Sequence, residues 1–272
     1  MENSTDLDTF HCGPRQYPDA VIGRIESAGA RGKKRLTLTG TGSVRAPRAS
    51  LQTAWDKYTD NIIHVTIGEG LSELESDVFA GLRNVRSVYF PRTLKAIYSG
   101  AFSECGKLEQ AELPDALRYI GPGAFQGCIS LAEVTFGSSL KNIQVDAFRG
   151  CKSLNRFTFP SSVTEIGEHA FADTGVERIV LPDGLENFPK GCFSHCEKLQ
   201  EVTVGEGMSV VSDRVFNGCT ELEKLDFRPA KVLYHIHDLA FLDCSGIKAV
   251  LCREEQAELL RRHFRPEILV IS

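Results

Sequence analysis

In the stretch "LRYIGPGAFQGCISLAEVTF" (residues 117–136), apolar side chains stand at Leu117, Ile120, Ala124, Phe125, Leu131, Val134 and Phe136. With Phe125 as position zero, they fall at minus eight, minus five, minus one, zero, plus six, plus nine and plus eleven. The same set recurs on both sides. Phenylalanine stands at 79, 102, 125, 148, 171, 193, 216 and 241, in steps of 23, 23, 23, 23, 22, 23 and 25. Self-similarity at a fixed period of this length marks a repeat architecture.

The other columns repeat with it. At minus eight they read Leu71, Leu94, Leu117, Leu140, Val163, Leu185, Met208 and Leu233. At minus five they read Leu74, Ile97, Ile120, Ile143, Ile166, Phe188, Val211 and Ile236. Apolar positions at plus nine and plus eleven alternate with polar ones at plus eight and plus ten, which predicts a short strand with one buried face. Pro91, Pro114, Pro160 and Pro182, with Gly137 and Gly205 elsewhere, stop these strands. One unit cannot bury its own apolar stripe, so the units must stack into parallel strands around a continuous core. Thirteen of the sixteen Phe sit on the zero, plus-nine or plus-eleven columns, so the aromatics belong to the core and not to a ligand site.

The pattern L-x-x-I-G-x-x-A-F-x-G-C-x-x-L-x-x-V-x-F-P resembles the BspA-type leucine-rich repeat. The ends are similar too. "RLTLTGTGSV" (35–44) resembles the family's N-terminal capping strand, and "AWDKYTDNIIHVTI" (54–67) the segment leading into its first repeat. The expected fold is an α/β repeat: a single capped solenoid with a parallel sheet on one face and short or helical turns on the other. The expected division is a flexible segment 1–19, an N-terminal cap 20–61, about eight repeats over 62–252 and a C-terminal cap 253–272. "AVIGRIE" and "RLTLTG" flank "SAGARGKK" as a hairpin, and Trp55, Tyr58 and Ile62 supply a helical turn. "REEQAELLRRHF" (253–264) reads as a helix with Ala257, Leu260 and Phe264 on its apolar stripe, and "EILVIS" as a possible last strand. Two caps imply a complete solenoid and hence a monomer.

The net charge of −5 gives no general attraction to nucleic acid or anionic membranes, and neither is expected as a partner. No apolar run approaches the roughly 20 residues of a membrane-spanning helix. The start, "MENSTDLDTFHCGPRQYPDA", lacks the basic and apolar regions of a secretory signal. The resemblance implies a bacterial or protist protein of surface or adhesion type. The absent leader and the thiols instead suit the cytoplasm, with the cell surface as the alternative should a leader precede this chain.

Cys105, Cys128, Cys151, Cys196, Cys219 and Cys244 all stand three after the repeat Phe, a small buried turn position in the family, where Leu82 and Thr174 replace them. A weak S–H donor of small size suits such a position. Stacked side chains point parallel, and Thr174 splits the column into three and three, so free and mostly buried thiols are expected. "CFSHC" (192–196) is then two core columns meeting a surface turn, not a metal site. His235 and His237 form H-x-H beside the inserted loop "RPAKV" (228–232), a weak metal candidate without a third ligand, so no cofactor is expected. The short turn "ADTGV" (172–176) and that insertion read as drift in surface loops.

No G-x-S-x-G, P-loop, H-E-x-x-H or G-x-G-x-x-G motif occurs, and no enzyme is expected. What remains is the broad curved sheet face. Its outward side chains include Tyr89, Glu112, Glu133, Arg156, Arg178, Glu201 and Lys224, with the two arginines adjacent in the middle. They form either a partner-binding surface anchored on arginine or a solvated face whose Glu–Arg pairs support the strands. The expected function is a non-catalytic module that binds a protein or other macromolecule. The alternative is a metal- or redox-active protein using His235 and His237 or the cysteines.

Overall fold

The computed structural model describes residues 8–14, 16–17, 20–29, 32–45 and 55–272. Residues 1–7 lie outside it, as do Ala30 and Arg31 of the hairpin loop and 46–54 of the expected cap. Asp8–His11, within the segment 1–19 expected to be flexible, form a strand. Strand β1 (Asp8–His11) pairs antiparallel with β2 (Val21–Ser27). Burial explains this: Phe10 packs against the core and Cys12 is fully buried. β2 pairs in turn with β3 (Lys34–Gly40), burying Val21, Ile25, Leu36 and Leu38 on one face. After β4 (Gly42–Val44), the antiparallel cap hands over to the repeats where β3 pairs in parallel with β5 (Ile62–Ile67).

The repeats build two parallel ladders, one more than the sequence pattern indicates. In chain order the strands are β6 (Leu71–Leu74), β7 (Ser87–Tyr89), β8 (Ala96–Ile97), β9 (Gln110–Glu112), β10 (Tyr119–Ile120), β11 (Glu133–Thr135), β12 (Asn142–Ile143) and β13 (Glu165–Ile166). They continue as β14 (Arg178–Val180), β15 (Asn187–Phe188), β16 (Glu201–Thr203), β17 (Val210–Val211), β18 (Lys224–Asp226), β19 (His235–Ile236) and β20 (Ala249–Cys252). The three-residue strands carry the plus-nine column and form the expected sheet. The strands that carry the minus-five column, two residues long from β8 onward, stack as β6-β8-β10-β12-β13, with β4 beside β6 at the outer edge, and then as β15-β17-β19. The side expected to hold turns or helical turns therefore holds this second ladder as well.

The third side of each coil is the Phe turn, and it too is stapled rung to rung. The Phe102, Phe125 and Phe148 N–H groups donate to the Ala124, Ala147 and Ala170 carbonyls at 2.7–2.8 Å. The rings stack in the same direction: Phe102, Phe125 and Phe148 lie 5.2 Å apart with interplanar angles of 9° and 2°. The cysteine column completes the turn. Each thiol donates to the Phe carbonyl of the rung before, as Cys105 does to Phe79 at 3.3 Å and Cys128 to Phe102 at 3.2 Å. All nine thiols are free. Burial pushes the Cys105, Cys128, Cys192 and Cys219 thiols well up, and Cys196 to about 11.

Both ends of the Phe stack are closed by aromatics from outside the repeat. Buried Trp55 stacks on Phe79 at 5.8 Å, beside a single 3-10 turn at Asp56–Tyr58. At the other end, α1 (Glu254–Leu260) buries Ala257 and Leu260, and the following turn sets Phe264 against Phe241 at 5.0 Å. Helix α1 stops four residues before Phe264, so the expected helix is shorter than its apolar stripe. Gln256 is 3 % exposed and donates to the Phe227 and Ala230 carbonyls at 2.9 and 2.8 Å. A side-chain amide thus satisfies carbonyls that a further rung would otherwise cover. β21 (Leu269–Ile271) then pairs in parallel with β20.

Candidate functional site

The outward side chains of the three-residue strands stand in rows because successive parallel strands keep one register. Glu133 pairs with Gln110, Arg178 with Glu201, and Glu201 with Lys224. Tyr89 is 54 % exposed at the end of β7, its hydroxyl 3.5 Å from Glu69 Oε1. Glu112, Arg156 and Arg178 are exposed, while Glu133, Glu201 and Lys224 are half-buried. Val180, between Arg178 and the next turn, is 64 % exposed.

The charges are grouped differently from their order in the sequence. Arg156 bonds Glu133 at 3.5 Å and Arg178 bonds Glu201 at 3.6 Å, so each arginine pairs away from the other. Arg86–Glu109 at 3.5 Å and Lys248–Glu223 at 2.5 Å continue the habit between other rungs. Exposed pairs of this kind are worth about 0–1 kcal/mol each. They hold long side chains in place more than they stabilise the fold.

The sheet itself is interrupted in two places that the repeat pattern does not reveal. β7 closes one five-stranded sheet and β9 opens a separate pair with β11, without ladder pairing between them. A cleft of about 270 Å³ opens there, lined by Ser87, Tyr89, Phe90, Gln110 and Glu112 among others. The coil after β11 forms no strand at 156–158, and only the bridge between Glu133 and Arg156 remains. Here a cleft of about 330 Å³ lies between Glu133, Thr135, Phe136, Arg156, Phe157 and Thr158. Phe157 occupies a column that carries Val134 and Ile179 in the neighbouring rungs. Its ring packs edge-on against Phe136 at 5.8 Å and face-on against Phe171 at 5.0 Å. That bulk, next to a unit one residue short, accompanies the loss of pairing.

The short turn after Phe171 has a structural consequence beyond drift. Both ladders break across this unit, between β13 and β15 and between β11 and β14. Thr174 bonds its own Phe171 carbonyl at 2.9 Å, where the cysteines reach back to the previous rung. An open depression of about 260 Å³ follows, lined by Lys152, Asp173, Thr174, Gly175, His195, Glu197 and Lys198.

His169 and His195 occupy left-handed turn positions, φ 54° and 57°, that glycine holds in several other units. They are backbone corners that histidine tolerates better than most residues. His235 is exposed and lies in β19. His237 Nδ1 accepts the Leu239 N–H at 3.2 Å and faces Asp213 Oδ1 at 3.5 Å, so its ring shapes the turn. Among the described residues, no group of three or more His, Cys, Asp or Glu side chains is placed to hold a metal ion.

The insertion "RPAKV" is anchored at its first residue. Arg228 Nε and Nη2 donate to the Asp226 carboxylate at 2.9 and 2.7 Å, and the Arg228 N–H adds a bond at 3.1 Å. Asp226 is 9 % exposed, and Arg228 beside it holds its carboxyl below the ordinary value of 3.8. A depressed folded pKa means that this contribution is complete above the ordinary carboxylate range. It is lost as pH falls through the lowered folded value. Asp226→Ala is expected to cost about 2 kcal/mol at neutral pH, as for hydrogen bonds to a charged group. The deficit relative to wild type should shrink below pH 3.8. Urea unfolding at pH 7 and in that acid range measures both.

Stacked coils, parallel ladders, a buried Phe column and separate aromatic caps define a parallel-stranded leucine-rich-repeat solenoid. The chain belongs to the BspA type leucine rich repeat family, whose profile matches residues 53–176 and 164–265 with six copies. Among solved structures, it is similar to the pneumococcal vaccine antigen PcpA at 16% identity, covering 86% of this chain and 80% of that one, with a TM-score of 0.45. It is also similar to a leucine rich cell surface protein of Faecalibacterium prausnitzii at 17% identity, covering 85% and 87% of the two chains, TM-score 0.38. A T. pallidum leucine rich repeat protein shows 23% identity over 77% of this chain and 90% of that one, TM-score 0.45. No curated protein matches the chain.

Proposed function

We propose that this protein is a non-catalytic module that binds a protein partner across the face of the three-residue strands. The supporting observation is the pair of clefts on that face, beside Tyr89 and beside Arg156, where the ladder is interrupted. A regular sheet face offers a partner only flat contact, whereas a cleft next to an exposed Tyr or Arg offers a pocket and an anchor. Tyr and Arg are enriched among the residues that dominate binding energy. Glu112, Glu133, Arg178, Glu201 and Lys224 supply a polar surround of both signs, held by rung-to-rung ion pairs. Mixed charge and a net charge of −5 favour a protein over nucleic acid or an anionic membrane. Family membership agrees with an interaction role and with a place at the cell surface.

The test compares proteins captured by the wild-type chain with those captured by Arg156→Glu/Arg178→Glu. Lys190→Glu, away from this face, serves as control. Partners that survive the control and bind the double variant at least tenfold more weakly, about 1.4 kcal/mol, support the reading. Partners held equally by all three chains remove the two arginines from it.

A further inference from the structure

Cys196, Cys219 and Cys244 form the second run of the turn column, and the last two end it. Cys219 Sγ lies 3.1 Å from the Phe193 carbonyl and Cys244 Sγ 2.9 Å from the Phe216 carbonyl. Both thiols thus reach back toward the preceding rung, and the Phe216 carbonyl that accepts the Cys244 thiol also accepts the Cys219 N–H at 3.0 Å, which sets the two cysteines side by side on adjacent rungs. Adjacent parallel rungs are about 4.8 Å apart, inside the Cα range of about 4.4–6.8 Å that a disulfide spans.

The two sulfurs differ in access. Cys219 is fully buried, whereas Cys244 is the one cysteine of nine that is only half-buried. The reason is its place in the fold. Every earlier thiol of the run is roofed by the next rung, but beyond Cys244 the chain leaves for α1. Phe264 covers the Phe241 ring, and Leu242 stays 41 % exposed beside the turn.

We propose that Cys244 and Cys219 are a peroxide-sensitive thiol pair, in which Cys244 reacts first and Cys219 resolves it to a disulfide. The Cys244 thiolate attacks the O–O bond of a hydroperoxide, ROOH. An S–O bond forms, the O–O bond breaks, and RO⁻ takes up a proton and leaves as ROH. Sulfur has lost two electrons to the peroxide and stands as a sulfenic acid. Cys219 Sγ then attacks that sulfur. The S–S bond forms as the S–O bond breaks, and the Cys219 proton leaves with hydroxide as water. Two thiols and one hydroperoxide become one disulfide, one ROH and one water.

The acidities fit this order. The neighbouring Cys219 thiol pulls Cys244 below its ordinary value, against the opposing effect of partial burial. Burial pushes Cys219 up. An accessible thiol with thiolate character attacks first, and a buried neighbour resolves. Cys105, Cys128 and Cys151 share the column and the donor geometry but are fully buried, so the same chemistry is closed to them.

The experiment exposes the folded full chain to hydrogen peroxide, blocks the remaining thiols and maps linkages by mass spectrometry without reduction. The expected result is loss of two of the nine thiols, a Cys219–Cys244 linkage, and reaction at Cys244 at least tenfold faster than at Cys105, Cys128 or Cys151. Cys219→Ser should stop at a sulfenic acid on Cys244 that dimedone traps, and Cys244→Ser should leave its eight thiols intact. Nine unreacted thiols in the wild type, or a linkage among Cys105, Cys128 and Cys151, would overturn the proposal. The wild-type linkage map decides the matter even if a variant folds poorly.

Discussion

Replacing Phe148 by alanine is expected to destabilise the protein by about 3–5 kcal/mol, the range for removing a buried phenylalanine. Phe148 has no exposed surface and touches rings on three sides. Phe125 lies 5.2 Å below, Phe171 lies 5.3 Å above, and Phe136 stands edge-on at 5.7 Å. The stack cannot collapse onto the gap, because both backbones beside it are fixed by rung-to-rung hydrogen bonds at the same turn. Stability in a solenoid is a sum of units and nearest-neighbour contacts. A central deletion therefore weakens two interfaces at once. Phe241→Ala supplies the comparison, since Phe241 is only half-buried and lies at the end of the column. Its cost should be clearly smaller. Urea unfolding of both variants measures the difference, and equal costs would mean that the stack does not carry the stability assigned to it.

The second large effect is expected from Gly137→Ala. A Cβ built on Gly137 would lie 2.0 Å from the Pro114 carbonyl oxygen and 2.8 Å from the Asp115 Cα. Those are backbone atoms of the rung below, so no rotamer change relieves the clash and the rungs must part. The expected cost is about 3 kcal/mol, at the upper end for overpacking. Gly81→Ala is the counterpart. Gly81 has φ 74° but nothing within 4 Å of its would-be Cβ. That substitution should cost about 1 kcal/mol, from the left-handed backbone alone. Thermal unfolding of the two variants separates steric from dihedral constraint. A Gly137→Ala protein as stable as wild type would refute the close approach of these rungs.

Much of the architecture was legible because it rests on period. The columns at minus eight, minus five, zero, plus six and plus nine are almost wholly buried. They are buried for the reason inferred, namely that one coil cannot cover its own apolar stripe. The Cys column was legible in the same way, as a small side chain with a weak donor. The second ladder was not. Two-residue strands leave no alternation to read, and their existence follows only from backbones meeting between coils. The clefts were hidden for a related reason. Phe157 obeys the apolar column, and the loss of strand pairing beside it shows only once the neighbouring coils are in place. The adjacency of Arg156 and Arg178 was visible in the list of outward residues, but their partners, Glu133 and Glu201, depend on which rung each side chain leans toward.

The sequence by itself determined the repeat, its length, its buried columns and the family, because burial at a fixed period writes itself into residue type. Only the tertiary structure decided where the ladders break, which charges pair, and which thiol lacks a rung above it. These depend on contacts between coils some 23 residues apart. A column of residue types does not record such contacts, since the same apolar or charged residue serves a paired rung, a splayed one or the last one.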